Sequence, residues 1–486
     1  MIKLSDLSPN IKLRPHQESA INKFLHNKNR QIFAHSLGSG KTITSIGAIE
    51  RSGAKKALIL TPAALQKNYT DTINNIVTKD SIGKYKVMSY EKFRMNPNKF
   101  INEINPDTLV VDEYHRHKDP TGKSFKSLQV ARGKVKNFIG LTGTVMQNHP
   151  SEIFPLLNLS RGSNEIGLDS KTFNKKYTDI KRVYPKGIKG LFARLTGRYG
   201  ERRVLKNQDK LKNIFKNDID KNLPTKEFLS HFPKKEFVEI NAPMTRQQSK
   251  VYDYFMSKDL NAFDRWRIRN NLPPKIKDSK KFFSKLMHAR QAAVSPISFN
   301  KKYTNTGLQS SGKLSIANKN LMKHLKSDPV NKALIYSNFI DSSIDPISKA
   351  LAKSNVSFGE FSGRVSKKVR NQAVSDFNAG KRRVLIASPS GAEGLDLKGV
   401  TLLQNLDPHW NPAKMSQIYG RAARFKSHDL LPPEKRKVRI ELYKSYQKPS
   451  LIGRLFGKRK KSTVDDYIYN RAREKRDLVK QVENLI

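Results

Sequence analysis

At 486 residues the chain is well beyond the size at which single hydrophobic cores split, so two or more domains are expected. Its 93 Lys and Arg against 42 Asp and Glu leave a formal charge of +51, a self-repulsion that favours a polyanionic partner: nucleic acid by default, acidic lipid as the alternative. The absence of cysteine excludes disulfides, zinc–thiolate sites and thiol chemistry, and no apolar run approaches the ~18 residues that span a bilayer. The segment after Met1 lacks the apolar core of a signal peptide, so a soluble intracellular protein is expected.

In chain order, Leu13-Arg14-Pro15-His16-Gln17 precedes a helical pattern over residues 18–25, with Ile21, Phe24 and Leu25 on one face. Gln31-Ile32-Phe33-Ala34 is an apolar run of strand type, and residues 42–49 read as a buried helix. Between them lies Leu37-Gly38-Ser39-Gly40-Lys41-Thr42. A phosphate chain needs backbone N–H groups pointing into a tight loop at the positive end of a helix. Gly38 and Gly40 would let that backbone approach, Lys41 would reach the β/γ-phosphates, and the Thr42 hydroxyl would hold Mg²⁺. The full phosphate-loop pattern places Gly at position 35, where this chain has His35. A Gly-rich turn between strand and helix is the competing reading, and the strand–turn–helix context favours nucleotide binding.

Lys56-Ala57-Leu58-Ile59-Leu60-Thr61-Pro62 is a buried parallel strand ending in a Pro turn, and Val87-Met88-Ser89-Tyr90 a further short strand. Thr108-Leu109-Val110-Val111 leads into Asp112-Glu113-Tyr114-His115. An apolar strand ending in two carboxylates places them at the carboxyl edge of a parallel sheet, where ligands bind. Asp112 suits Mg²⁺ and Glu113 suits orienting or deprotonating an attacking water. An isolated Asp-Glu pair is more often a surface turn, but here it follows a phosphate loop by about seventy residues, a distance fitting strand–helix alternation. Phe138-Ile139-Gly140-Leu141-Thr142-Gly143-Thr144 is a third such strand.

Taken together, residues 13–17, 37–42, 60–62, 112–115 and Leu141-Thr142-Gly143-Thr144-Val145-Met146-Gln147-Asn148 resemble superfamily-two helicases. The last of these, continuing through Glu152-Ile153-Phe154-Pro155-Leu156-Leu157-Asn158, is similar to the Swi/Snf-type DNA translocases. The resemblance implies that Gln17 reads adenine, that residues 37–42 (Leu37, Gly38, Ser39, Gly40, Lys41, Thr42) bind ATP, and that Thr142 and Thr144 couple two lobes. His35-Ser36 stand where the family usually carries acidic residues.

Residues 161–222 break the strand–helix rhythm and read as a basic insertion, with Arg198, Arg202 and Arg203 near Tyr184, Phe192 and Tyr199. Such interleaving suits a phosphate-contacting arm, and a solvated helical protrusion is the equal alternative. Residues 223–250 resemble the return strand that completes lobe one, which is otherwise placed in 1–160. Residues 251–310 are patterned as helices broken at Pro273-Pro274, as in a connection between lobes. The Gly312-Lys313 pair lacks a preceding strand and is not read as phosphate-binding.

Strands and helices alternate again over residues 311–486, a second α/β domain without its own phosphate loop. Such a lobe can still complete a nucleotide site if it supplies a cation for the γ-phosphate. Gln417-Ile418-Tyr419-Gly420-Arg421-Ala422-Ala423-Arg424 offers two arginines at i, i+3 on one helical face. Residues 390–397 and Asp407-Pro408-His409-Trp410-Asn411-Pro412 precede it at the spacing of the Swi/Snf-type group. That resemblance makes Arg421 and Arg424 arginine fingers and Gln417, Gly394 and Asp396 contacts to the nucleotide. A second basic insert near 450–461 ends in Lys458, Arg459, Lys460 and Lys461 and could be a DNA contact, a nuclear address or a membrane-surface patch.

The resemblance, which covers nearly the whole chain except the two basic inserts, implies two RecA-like α/β lobes of parallel sheet with an ATP cleft between them; the basic helical insertions are additions to it. The activity it implies is ATP- and Mg²⁺-dependent translocation on duplex DNA, with a replication or transcription protein as a further partner; the compact size and Lys/Asn-rich composition suggest a phage or large DNA virus source. A virus would place the protein in host cytoplasm or nucleus. A strand-separating DNA or RNA helicase and a viral transcription-associated ATPase share the ATP chemistry. A non-enzymatic ATP-gated clamp is disfavoured by Glu113, Arg421 and Arg424.

Overall fold

The computed structural model describes residues 12–36, 39–146, 149–163, 170–222, 229–299, 307–389, 396–449 and 461–486. Leu37, Gly38, Gly394, Lys458, Arg459 and Lys460 of the expected sites lie outside them. The chain forms two compact units. Unit one takes Met1–Asp179, Val204–Lys226 and Arg476–Ile486; unit two takes Ile180–Arg203 and Glu227–Lys475.

Unit one is built on a six-stranded sheet of β1 (Arg30–His35), β2 (Ala57–Thr61), β3 (Tyr85–Ser89), β4 (Thr108–Val111), β5 (Asn137–Thr142) and, from further along the chain, β8 (Ile219–Asn222). Its order is β3-β2-β4-β5-β1-β8 and every pairing is parallel. Parallel strands need crossovers, which the intervening amphipathic helices provide. Helices therefore cover both faces, and the strands are nearly continuous apolar runs. Ile32, Leu58, Leu109, Val111 and Phe138 face a core with Leu128 and Leu156. Phe33, Ile59, Val110, Ile139 and Leu141 face another with Ile21, Phe24, Ile46 and Ile49. Val479 and Val482, from the end of the last helix (Val464–Glu483), complete the first core.

Unit two has its own parallel sheet, ordered β11-β12-β10-β13-β14-β9. Its strands are β9 (Lys234–Pro243), β10 (Lys332–Tyr336), β11 (Phe358–Phe361), β12 (Val384–Ala387), β13 (Val400–Asn405) and β14 (Lys437–Tyr446). A helical layer from Arg246–Asp259 to Met287–Val294 packs with Val464, Tyr467 and Ile468 of the last helix. Lys313, at the start of helix Gly312–Ser327, is buried against Asp465 at 2.7 Å, a structural ion pair in keeping with the sequence reading.

Three boundaries differ from expectation. The strand that completes the first sheet is β8, inside the segment assigned to the insertion, and the preceding helix Gln208–Asp218 adds Leu211 and Phe215 to the core. Ile219-Asp220-Lys221-Asn222 carries one apolar residue, because an edge strand needs no continuous apolar run, so hydropathy gave no signal. The segment 234–243, read as the return strand of lobe one, instead pairs along its whole length with β14 as the edge of the second sheet. Its alternating exposure marks an edge strand but carries no information about which sheet it joins. Helices 246–294, read as a connection between lobes, belong to unit two. What remains of the insertion is an arm: β6 (Thr178–Val183) and β7 (Gly200–Leu205) pair as a two-stranded sheet, joined through helix Ile188–Leu195.

Candidate functional site

Four neighbouring strands of the first sheet, β2, β4, β5 and β1, end at the same carboxyl edge and deliver the sequence motifs there. After β1, the chain turns through the loop into helix Lys41–Arg51. Gly40 caps that helix at φ +81°, and a Cβ on it would lie 2.6 Å from Gln17 Nε2. The positive φ is what favours glycine, since the Gln17 amide at the end of a flexible side chain can shift. Gln17 Nε2 donates to the Gly40 carbonyl at 3.2 Å, while its Oε1 accepts from the Arg14 amide at 2.9 Å. The residue expected to read adenine is thus tied to the loop through its amide. Lys41 Nζ donates to the carbonyls of His35 and Ser36, both at 3.0 Å. Burial pushes the Lys41 ammonium down, and Glu113 and Asp112 oppose that shift.

At the end of β4, Asp112 Oδ2 accepts from Thr61 Oγ1 at 3.1 Å and Oδ1 from the Glu113 amide at 2.9 Å. Burial, with the neighbouring Glu113 charge, raises the Asp112 carboxyl above its ordinary value despite Lys41. Glu113 sits in the left-handed region at φ +47°, ψ 45°. For a non-glycine residue that conformation costs about 1–3 kcal/mol and persists only where its surroundings hold it. His115 Nδ1 makes a hydrogen bond with Thr142 Oγ1 at 3.0 Å and lies in ion-pair range of Glu113 Oε2 at 3.4 Å. Thr142 Oγ1 donates to the Thr144 carbonyl at 2.7 Å and accepts from the Thr144 amide at 3.1 Å. The carboxylate pair and the two threonines are therefore joined through His115.

The donor set suits a magnesium–nucleotide. It combines a half-buried lysine held by carbonyls, a carboxylate raised by burial, and a hydroxyl at a helix start. Ser36 Oγ and Ser39 Oγ are buried with no hydrogen-bond partner among the described residues. These are groups that a phosphate would satisfy. Thr42 and Asp112 are the residues that would hold Mg²⁺, which neutralises phosphate charge when bound.

Two connections were not foreseen. His35 Nε2 bonds Asp220 Oδ2 at 2.8 Å, and Lys23 Nζ bonds Asp220 Oδ1 at 2.6 Å, joining the strand before the loop to β8. Nothing in the polar stretch around Asp220 marks it. His115, by contrast, stands inside the Asp112–His115 motif and was legible as its fourth member.

In unit two, helix Pro412–Ala422 presents Gln417, exposed, and Arg421, half-buried in its last turn. Arg424 lies beyond the helix end, so the two arginines do not share a helical face as expected. Arg424 Nη1 instead pairs with Asp396 Oδ1 at 3.0 Å. Asp407 accepts from Ser337 Oγ at 2.7 Å and from the Asn338 amide at 3.0 Å. Arg290 reaches Asp407 Oδ2 at 3.5 Å and the Pro408 carbonyl at 3.1 Å, and lies 4.6 Å from the Trp410 ring centre. Burial lowers the Arg290 guanidinium, and Asp407 offsets part of that. Arg290 thus anchors the Asp407–Asn411 turn.

On the arm, Arg198 and Arg202 are exposed and Arg203 half-buried. Arg198 lies over Phe192 at 5.7 Å and Phe263 at 5.8 Å. Lys461 sits 4.0 Å from Asp253.

Three family models match: the SNF2-related domain over residues 86–297, the helicase conserved C-terminal domain over 316–426 and the type III restriction enzyme res subunit over 10–147. The chain is 27% identical to the "Putative ATP-dependent RNA helicase L538" of Acanthamoeba polyphaga mimivirus, across 88% of each chain. It is 21% identical to a termination factor NPH-I homolog of African swine fever virus, across 93% of this chain and 74% of that one. The Sulfolobus solfataricus SWI2/SNF2 ATPase core in complex with dsDNA aligns over 98% of this chain and 97% of that chain, at 18% identity and a TM-score of 0.37. Among the described residues no helix is long and apolar enough to cross a membrane. With the phosphate-loop lysine, the paired carboxylates and both domain matches in one chain, these likenesses support a superfamily-two, Swi/Snf-type helicase-like protein of viral type, an ATP-hydrolysing enzyme.

Proposed function

We propose that the chain is an ATP-driven translocase on double-stranded DNA. The observation that carries this reading is the chain of contacts from Glu113 through His115 to Thr142 and Thr144. It ties the residue that would orient the attacking water to the segment after β5, so a change at the carboxylate can be felt there. Lys41 would bind the β/γ-phosphates with the loop amides, and Asp112 and Thr42 would hold Mg²⁺. Arg421 and Arg424 are the cations that unit two would bring to the γ-phosphate, where an arginine is worth about 10³-fold or more in rate. The Trp410-Asn411-Pro412 turn, held by Arg290, supports the duplex preference through its resemblance to duplex translocases. Phosphate contacts position a protein without reading sequence, so the reading requires no base specificity.

The names of the viral relatives support a second reading: a motor of the same chemistry that acts on RNA or during transcription termination. One assay separates the two: ATPase rate with duplex DNA, single-stranded DNA and RNA, run beside strand displacement. Greatest stimulation by duplex without strand release supports translocation on duplex. ATP-dependent unwinding, or greatest stimulation by RNA, overturns it.

A further inference from the structure

Helix Ile188–Leu195, at the tip of the β6–β7 arm, is amphipathic in the inverted sense. The residues it buries are Gly190 and Ala193. A Cβ on Gly190 would lie 2.1 Å from the Pro185 carbonyl oxygen, so only glycine lets the helix seat against the preceding turn. That seating leaves the large apolar side chains outward: Ile188 is 89% exposed, Leu191 63%, Phe192 50% and Leu195 80%. Their spacing, i, i+3, i+4, i+7, makes one stripe along the helix. A water-facing helix would carry its polar residues there.

Charge narrows what covers the stripe. From residue 180 to 203 the arm carries eight Lys and Arg against the single acid Glu201. Lys186 and Lys189 lie at one end of the stripe, and Arg194 toward the other. A phosphate backbone would meet the cations but leave the four apolar side chains uncovered. An acidic-rimmed protein groove would need its acids at both ends of a two-turn helix. A flat anionic surface with an apolar interior meets every requirement together. Behind the tip, Arg194 lies 5.2 Å from the Tyr184 ring centre and Arg182 4.7 Å from that of Tyr199. Aromatic side chains with polar ends favour the depth at which headgroups meet acyl chains.

We propose that this arm tip is a docking element for an anionic lipid surface, Ile188, Leu191, Phe192 and Leu195 entering the acyl boundary while the flanking cations hold headgroups. The assignment is independent of which nucleic acid the motor tracks. The test is co-sedimentation of the full chain with phosphatidylcholine vesicles, with and without phosphatidylserine, for wild type and the Ile188→Ser/Leu195→Ser variant. Both positions are highly exposed and outside the ATP machinery, so basal ATPase and duplex-DNA affinity should stay unchanged. Wild type should bind the phosphatidylserine vesicles about tenfold or more tightly than the variant. Tryptophan emission of Leu191→Trp should also shift to the blue on adding those vesicles, beyond any change in wild type. Equal vesicle affinity of wild type and variant would mean that charge alone binds, and would overturn the proposal. So would no binding by wild type, or a parallel loss of duplex affinity in the variant, which would seat the stripe on nucleic acid.

Discussion

His35 Nε2 and Asp220 Oδ2 lie 2.8 Å apart, both side chains buried, one on the strand that leads into the phosphate loop and the other on the strand beside it. β1 is thereby tied to β8 by a charge-assisted side-chain contact as well as by the ladder. The same His35 offers its carbonyl to Lys41, so the position of the lysine depends on a contact formed about 180 residues further on.

Removing that partner should be costly. Burial would raise the Asp220 carboxyl, but hydrogen bonds from His35 and Lys23 outweigh it and hold it below its ordinary value. The pairing therefore stabilises the fold above the ordinary carboxylate range and is lost as pH falls through the lower folded value. Asp220→Ala should destabilise unit one by about 3 kcal/mol near neutral pH, with a smaller difference from wild type in strong acid. Denaturant melts at both pH values check it.

The two halves of the phosphate site should separate by substitution. Lys41→Ala should abolish turnover by weakening ATP binding, whereas Glu113→Gln should bind ATP and fail to hydrolyse it, each losing roughly 10²-fold or more in rate. Nucleotide binding by fluorescence beside steady-state ATPase distinguishes them. Near-normal turnover in Glu113→Gln would move the water-orienting role elsewhere.

Arg421→Ala and Arg424→Ala test the contribution of unit two. If each acts on the γ-phosphate, kcat falls roughly 10³-fold with little change in ATP affinity. Arg424 is also paired with Asp396. Asp396→Ala, which releases it, should reduce turnover far less than loss of the arginine itself. Equal losses would make Arg424 a local brace.

Three histidines should make the fold acid-sensitive. Burial pushes His117 down to about 3, and His324 and His409 to about 4, from 6.5. The folded chain keeps them neutral while the unfolded chain protonates them. The stability this contributes is complete above 6.5 and is lost as pH falls toward 4. These three contribute up to three protons to the slope, at about 1.4 kcal/mol per proton per pH unit, with His16 and His428, also lowered by burial, adding to it. Thermal melts across this range measure it, and His117→Gln should remove about one proton from the slope.

The arm also predicts a salt effect. Arg198 and Arg202 are exposed, whereas Arg203 is half-buried near Glu201. Replacing all three by Ala should flatten the log–log salt dependence of duplex binding by about 2 units, two phosphate contacts rather than three, with ATPase in the absence of DNA intact. An unchanged slope would take the arm off the DNA.

Much of this protein is determined by local sequence. Apolar strand runs alternating with amphipathic helices dictate two parallel sheets, because a strand buried on both faces has to be apolar throughout. The chemistry of Lys41, Thr42, Asp112 and Glu113 is likewise local, since a glycine-rich turn and a strand-ending carboxylate pair carry their geometry with them. Only the tertiary structure decided what rests on partners distant in the chain. Sheet order placed four strand ends at one edge, and β8, too polar to announce itself, completed the first sheet. β9 joined the second sheet, a choice its alternation could not encode. Asp220 became the partner of His35, Arg290 the brace of Asp407, and a helix with ordinary local periodicity turned its apolar stripe outward because Gly190 and Ala193 made the closer contact. A side chain's periodicity fixes which neighbours share its face, but packing against distant segments fixes which way that face points.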